Sequence, residues 1–306
     1  MPGRSLSELT TESISSELAG LHSRSIGELV DVMNREDEKV ARAVGREVDA
    51  IEVVITQVSQ RLANGGRLFY LGAGTSGRLG VLDASECVPT FSTPHELIQG
   101  HIAGGDHALR NSIEAAEDSI LSGAELIVSL GVTEKDSVVG ITASGQTPYV
   151  IGAIDAAKRL GAYTAGLTCN KRSQLGENTH DVIEVDVGPE VVAGSTRLKA
   201  GTATKMVLNM ISTISMIRLG KIYQNLMIDV KVTNEKLWER AENILIYLSN
   251  CSRADAKSAL IVANKEVRTA LIMLLTGVAA ETAREQLARD QLNLDRTLNT
   301  LQKVGK

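Results

Sequence analysis

The chain has 306 residues, 43% of them hydrophobic and 23% charged, with 37 acidic and 32 basic side chains and a net charge of −5. That length suits one large domain or two ordinary ones, and the composition supports a packed core and excludes wholesale disorder. The acidic balance argues against a dedicated nucleic-acid binder, and aromatics at 3% leave few platforms for stacking bases.

Cys87, Cys169 and Cys251 are far apart and form no C-x-x-C pair, so neither a disulfide framework nor a zinc knuckle is expected. The opening MPGRSLSELTTES lacks the apolar core of a signal peptide. No stretch is apolar for long enough to span a bilayer. The expectation is a soluble cytoplasmic protein with no membrane partner.

In chain order, the first two dozen residues are polar and are expected to gain order only by docking. From Ile26 the spacing turns helical, through Leu29, Val30 and Met33. After Asn34, read as a cap, one long helix is expected on Val40, Val44, Val48, Ile51, Val54, Ile55, Val58 and Leu62, whose steps of three and four make one apolar stripe. Asn64-Gly65-Gly66 ends it. Short apolar runs at 67–71, 137–142, 162–168 and 181–187 read as strands. Helical patterns separate the first three, notably 149–160. Continuous apolar strands alternating with helices indicate a parallel sheet covered on both faces. The fourth run alternates apolar and acidic residues and is expected to lie nearer an edge or half exposed. A long helix is expected over 197–219, then an irregular crossing, then a helix carrying Leu237, Ile244 and Leu245. Ser252-Arg253-Ala254-Asp255 reads as a capping box, and 269–275 and 279–287 as two further helices.

Gly72-Ala73-Gly74-Thr75-Ser76-Gly77 matches G-x-G-x-x-G between a strand and a helix, which raises a dinucleotide fold. That fold needs a second strand soon afterwards, closed by an acidic residue. Here the window 88–94 carries Pro89 and Pro94, which argue against a central strand, so the nicotinamide alternative is set aside. At the end of the second strand stands Ala143-Ser144-Gly145-Gln146-Thr147-Pro148. Thr147 suits a helix cap and Pro148 a first helical turn. Unpaired backbone N–H groups and the positive helix end, with the side chains of Ser144, Gln146 and Thr147, would make a phosphate cradle that needs no lysine.

This pair of loops resembles the sugar isomerase (phosphosugar-binding) domain. The stretches 70–87 (YLGAGTSGRLGVLDASEC) and 188–205 (GPEVVAGSTRLKAGTATK), and NLMIDV at 225–230 followed by Thr233-Asn234, resemble the N-acetylmuramic acid 6-phosphate etherase family. The likeness runs from about residue 9 to the C-terminus. Val88 stands where the family usually has the first of two prolines. The same superfamily includes vertebrate glucokinase regulatory protein, which binds sugar phosphates without turnover, so fold alone does not settle catalysis.

The resemblance implies cleavage of the lactyl ether of N-acetylmuramate 6-phosphate, giving N-acetylglucosamine 6-phosphate and D-lactate. Ring opening makes carbon 1 an aldehyde and the carbon 2 hydrogen acidic. A base removes that proton, an acid protonates the ether oxygen leaving carbon 3, and water adds back. No metal or cofactor is required, only groups with suited pKa values. The family's catalytic carboxylates map onto Glu86, as proton donor, and Glu117, as base; one carboxyl can also serve both roles in successive steps. From the residues alone, Glu86 lies beside Val81, Leu82 and Cys87, where burial would raise its pKa. Glu117, with Glu114 and Asp118, reads as the solvated face of an acidic helix.

The substrate so implied is strongly anionic, so cations should converge on it. Arg78, Arg197, Lys199 and Lys205 lie in or beside the matching motifs. Arg197 suits a two-pronged carboxylate contact. Lys199 and Lys205 also read as solvated helix residues, a reading preferred for Lys205. Ser195 and Thr196 suit a cap that also faces an anion. With these, the expected binding set is Gly74, Thr75, Ser76, Arg78, Ser144, Gly145, Gln146, Thr147, Ser195, Thr196, Arg197 and Lys199. His101 and His107 do not share a helical face, Cys87 has no evident base partner, and no G-x-S-x-G elbow occurs.

The expected architecture is a parallel α/β three-layer sandwich. Residues 1–55 form an N-terminal helical arm, 56–222 the phosphosugar-binding domain and 223–306 a helical C-terminal region. A homodimer is expected from the length of the stripe between Val40 and Leu62 and from the resemblance. A non-catalytic sugar-phosphate sensor and an aldose–ketose isomerase are the alternatives. Both need the cradle, and neither needs an acid at an ether oxygen.

Overall fold

A computed structural model describes residues 5, 8–111, 113, 115–230, 232, 234–290 and 293–304. Glu114 and Thr233, both singled out above, lie outside the described residues. The chain divides into two compact units, Met1–Ser85 with His95–Ser215, and Glu86–Pro94 with Met216–Lys306.

The first unit opens with short 3-10 turns, then α1 (Ile26–Gly45) and α2 (Val48–Ala63). Ser25, not Asn34, caps α1, through a capping box with Glu28. The single long helix of the sequence reading is two helices. The chain turns at Arg46 and Glu47, where Arg46 donates to the Asp186 carbonyl at 3.0 Å and Glu47 pairs with Lys171 at 2.5 Å. The break exposes Val48 yet lets Val40 and Val44 in α1, and Ile51, Val54, Ile55, Val58 and Leu62 in α2, all be buried. Most of the stripe is therefore covered within the chain, and its length no longer argues for a partner.

The sheet follows: β1 (Leu68–Gly72), α3 (Gly74–Phe91), β2 (Ile98–Ile102), α4 (His107–Arg110), α5 (Ile120–Ser129), β3 (Ser137–Ile141), α6 (Pro148–Arg159), β4 (Tyr163–Thr168), α7 (Gln174–Asn178), β5 (Asp181–Glu184) and α8 (Lys199–Arg218). Every pair is parallel and the order is β2-β1-β3-β4-β5. Helical layers bury β1, β3 and β4 throughout, which is why those strands are continuous apolar runs. Each such Leu, Ile or Val contributes about 1.5–3 kcal/mol of burial. Strand β2 is the element the prolines concealed. Pro89 lies inside α3 and Pro94 precedes the strand, which sits at the sheet edge and ends on Ile102 rather than an acidic residue. With β2 leaving β1 on one side and β3 on the other, the strand order reverses at β1 and β3. Ligands of such sheets bind in the crevice at the carboxyl ends of those strands.

The second unit holds the last turns of α3, then α9 (Glu235–Ser249), α10 (Arg253–Val262), α11 (Val267–Thr276), α12 (Ala280–Arg289) and α13 (Leu294–Val304). Ile228, Val230, Leu245, Leu260, Leu271 and Leu287 are among its buried core. The NLMIDV stretch has a structural task here. Asp229 accepts from Lys221 at 2.9 Å and from Arg268 at 2.8 Å, while Arg268 also reaches the Gly220 carbonyl at 2.6 Å. The sequence patterns gave no sign of α13. Among the described residues no helix is long and apolar enough to cross a membrane.

Candidate active site

Both glycine loops stand at the reversal point. The first passes directly from β1 into α3, whose first residues are Gly74, Thr75 and Ser76. The second joins β3 to α6. Gly145 has φ +77°, and a Cβ there would lie 2.4 Å from Ser173 Cβ, so only glycine fits between this loop and the start of α7. Its carbonyl accepts the Leu175 N–H at 2.8 Å. Ser144, Gln146 and Thr147 are half-buried. Thr147 does occupy the cap position, but its hydroxyl pairs with Thr142 at 2.6 Å instead of capping α6. Thr142 also meets Ser144 at 3.2 Å, so three hydroxyls form one network.

The backbone of α6 is engaged differently from the expectation. The Tyr149 N–H, which would face an anion, donates to the Glu117 carbonyl at 2.9 Å. Glu117 is therefore fastened to the second loop. It lies in a turn ahead of α5, not on a helix, and that turn passes through Ala115 at φ +62°, a backbone region alanine rarely adopts. Glu117 lines a cavity of about 350 Å³ together with Ala73, Gly74, Arg78 and Asn111. Arg78 is held in its wall, Nε to the Leu109 carbonyl at 3.0 Å and Nη2 to that of Ala108 at 2.8 Å. These two donors fix α4 and are not available to a ligand.

Other expected residues are placed as follows. Glu86 is exposed on α3, so the burial inferred from Val81, Leu82 and Cys87 does not occur. It stands twelve residues beyond Gly74 in that helix, about 18 Å along its axis. Ser195 and Thr196 are half-buried and Arg197 is exposed, in the loop ahead of α8. Neither hydroxyl caps α8. Glu190, 1% exposed, does so from within the loop: its carboxylate accepts Lys199 N–H at 3.0 Å and Ala200 N–H at 2.9 Å. Lys199 is neither solvated nor open to substrate. It is 1% exposed and its ammonium meets Glu36 of α1 at 2.6 Å. Lys205 is on the exposed side of α8. A Cβ on Gly201 would lie 3.5 Å from both Thr75 Cγ2 and the Thr196 carbonyl, which sets the 195–197 loop beside the first glycine loop.

Sequence reasoning missed several supporting groups. Asp83 is buried in α3, where burial raises its carboxyl pKa against hydrogen bonds from Asn209 at 2.7 Å, Ser212 at 3.1 Å and Tyr70. It pins α3 to α8. Asn170, 2% exposed just past β4, joins three segments. Its place at a strand's carboxyl end was the available signal.

A parallel sheet in this order, with two hydroxyl-bearing glycine loops at its reversal point, defines a SIS-domain protein. The glucokinase regulatory protein N-terminal SIS domain family matches residues 49–158 and the SIS domain family matches 126–214. The C-terminal lid domain of glucokinase regulatory protein matches 224–269. N-acetylmuramic acid 6-phosphate etherase 2 of Enterococcus faecalis is 49% identical, covering 96% of this chain and 99% of that one. The etherase of Lactococcus lactis subsp. lactis is 52% identical, covering 87% and 90%. A solved phosphoheptose isomerase from Neisseria gonorrhoeae aligns with a TM-score of 0.47 and 16% identity, over 62% of this chain and 98% of that one. The chain belongs to the N-acetylmuramic acid 6-phosphate etherase family.

Proposed function

We propose that the protein is a carbon–oxygen lyase acting in cytoplasmic cell-wall sugar recycling. It converts N-acetylmuramic acid 6-phosphate to N-acetylglucosamine 6-phosphate and D-lactate. The observation that carries this is identity near one half, along nearly the whole chain, to relatives named for that reaction.

The hydroxyls and loop backbone of Ser144, Gly145, Gln146 and Thr147, with Gly74, Thr75 and Ser76 at the start of α3, hold the phosphate. Ser195, Thr196 and Arg197 meet the lactyl carboxylate, where a guanidinium gives two parallel hydrogen bonds. Arg78 shapes the cavity, and Lys199 takes no part. With the ring open, Glu117 removes the carbon 2 proton. The electron pair forms the carbon 2–carbon 3 double bond as the bond from carbon 3 to oxygen breaks. Glu86 gives its proton to the departing lactate oxygen. Water then returns hydroxyl to carbon 3 and a proton to carbon 2.

Gly74 and Glu117 share one cavity wall. The protein works as a homodimer whose sites lie near the subunit interface, an arrangement supported by its likeness to the etherase family, and a second copy of the chain supplies Glu86 to a given cavity.

The test is to incubate the purified protein separately with N-acetylmuramate 6-phosphate, glucosamine 6-phosphate and fructose 6-phosphate. D-lactate from the first alone is expected. Absence of lactate with interconversion of the other two would make it an isomerase, and binding without turnover a sensor.

A further inference from the structure

The segment ahead of α1 meets two distant loops. Thr11 is fully buried and Leu9 nearly so, in and beside the 3-10 turn Thr10–Glu12. One side chain receives it. Asn170 Oδ1 accepts the Thr10 N–H at 2.7 Å, and Asn170 Nδ2 donates to Thr11 Oγ1 at 3.0 Å. The same Nδ2 donates to the Ala143 carbonyl at 2.8 Å, the residue just before Ser144. On its other side the segment meets the loop ahead of α8, where Gly194 N–H donates to the Thr11 carbonyl at 3.2 Å. Gly194 has φ +77°, a backbone conformation that strains any other residue, and a Cβ there would lie 2.8 Å from Glu12 Oε2, which would have to swing aside.

A continuous chain of hydrogen bonds thus runs from Ala143 through Asn170 and Thr11 to Gly194. The loops at its two ends are Ser144–Thr147 and Ser195–Arg197. They arrive from different strands and have no covalent reason to hold a fixed spacing. A buried amide with three partners is costly to disturb, because losing one leaves polar groups unpaired away from water.

We propose that Thr10–Glu12 is a strap that fixes the distance between the two anion-binding loops, with Asn170 and Thr11 as its positioning residues. It rests on the assignment of those loops to phosphate and carboxylate made above. A substrate anionic at both ends is held by both loops at once, so their spacing sets binding. Groups that bind ground state and transition state alike act on KM and leave kcat.

Thr11→Val removes the hydroxyl while keeping shape, Thr11→Ser restores it, and Asn170→Ala removes the hub. KM for N-acetylmuramate 6-phosphate should rise about tenfold in Thr11→Val and further in Asn170→Ala, with kcat within about twofold and Thr11→Ser close to wild type. Amide exchange at Gly194 should quicken by about tenfold or more in both damaging variants. The exchange measurement uses no substrate, so it tests the strap even if wild type releases no lactate. Unchanged exchange at Gly194 in folded Thr11→Val overturns the strap. Faster exchange with KM within twofold of wild type overturns the positioning role.

Discussion

Tyr149 donates its backbone N–H to the carbonyl of Glu117 at 2.9 Å. Through that bond the turn bearing one carboxylate is anchored to the first turn of the helix that follows the second glycine loop. The acid is positioned by its main chain, leaving its side chain to line the cavity.

Glu117→Gln keeps that main-chain bond, so the fold should be untouched. The melting temperature should match wild type. D-lactate release should fall by about 10²–10⁴ in kcat, the usual worth of a general base, with KM within about threefold. Steady-state kinetics beside thermal unfolding checks this. Turnover at the wild-type rate would remove Glu117 from the chemistry.

Lys199 and Glu36 form a buried pair, with Lys39 on the outer side of Glu36 at 2.5 Å. Lys199→Met alone leaves Glu36 Oε2 without its buried partner while Lys39 still holds Oε1, and should cost about 1–3 kcal/mol in urea denaturation. Lys199→Met combined with Glu36→Leu should recover most of that loss. Burial pushes the Glu36 carboxyl up, but the hydrogen bonds and charges of Lys199 and Lys39 outweigh it and hold its pKa below the ordinary 4.5. Asp136 beside Arg67 is likewise held below 3.8. Depressed folded-state values mean that this stability is complete above the ordinary values. It is lost as pH falls through the folded ones. Urea midpoints should therefore drop below about pH 4.5 in wild type, and less steeply in the double variant.

Gly145→Ala tests the cradle by shape. The new methyl would meet Ser173 Cβ at 2.4 Å and Thr168 Oγ1 at 2.9 Å, on a backbone at φ +77°. Destabilisation on the order of 1–3 kcal/mol is expected. Because the strain is relieved by moving the Ser144–Thr147 loop, KM should rise as well. A variant that is less stable yet binds substrate normally would show the loop is not the phosphate site.

The parts of this molecule that were legible in the sequence are those governed by local pattern. Buried strands read as apolar runs, and β5, whose alternating acidic residues suggested an edge or a half-exposed strand, does lie at the sheet edge. Ser252 caps α10 as its spacing indicates, accepting from the Asp255 N–H. What stayed hidden depends on tertiary partners. Strand β2 is short, half-polar and preceded by proline, and only pairing with β1 makes it a strand. The break between α1 and α2 is set by contacts of Arg46 and Glu47 with residues far along the chain. In the site, the glycine loops were visible from their spacing. Lys199 was misplaced because nothing near it in sequence points to Glu36, and Asn170 was overlooked because its three partners come from two distant segments.

Complementation between variants of Glu86 and Glu117 gives the sharpest test of a shared site. Glu86→Gln and Glu117→Gln should each cut lactate release by about 10²–10⁴ while leaving sugar-phosphate binding intact. If a cavity takes Glu117 from one chain and Glu86 from another, a hybrid dimer of the two variants has one site with both acids and one with neither. Random assembly makes half of the dimers hybrids, so co-expression should restore about a quarter of wild-type activity. If each chain carried a complete site, every site in the mixture would lack one acid. Lactate release by the co-expressed pair would then stay at the level of either variant alone. Differently tagged subunits, purified through both tags, would raise the expected recovery to about half, a second value that the single-chain arrangement does not allow.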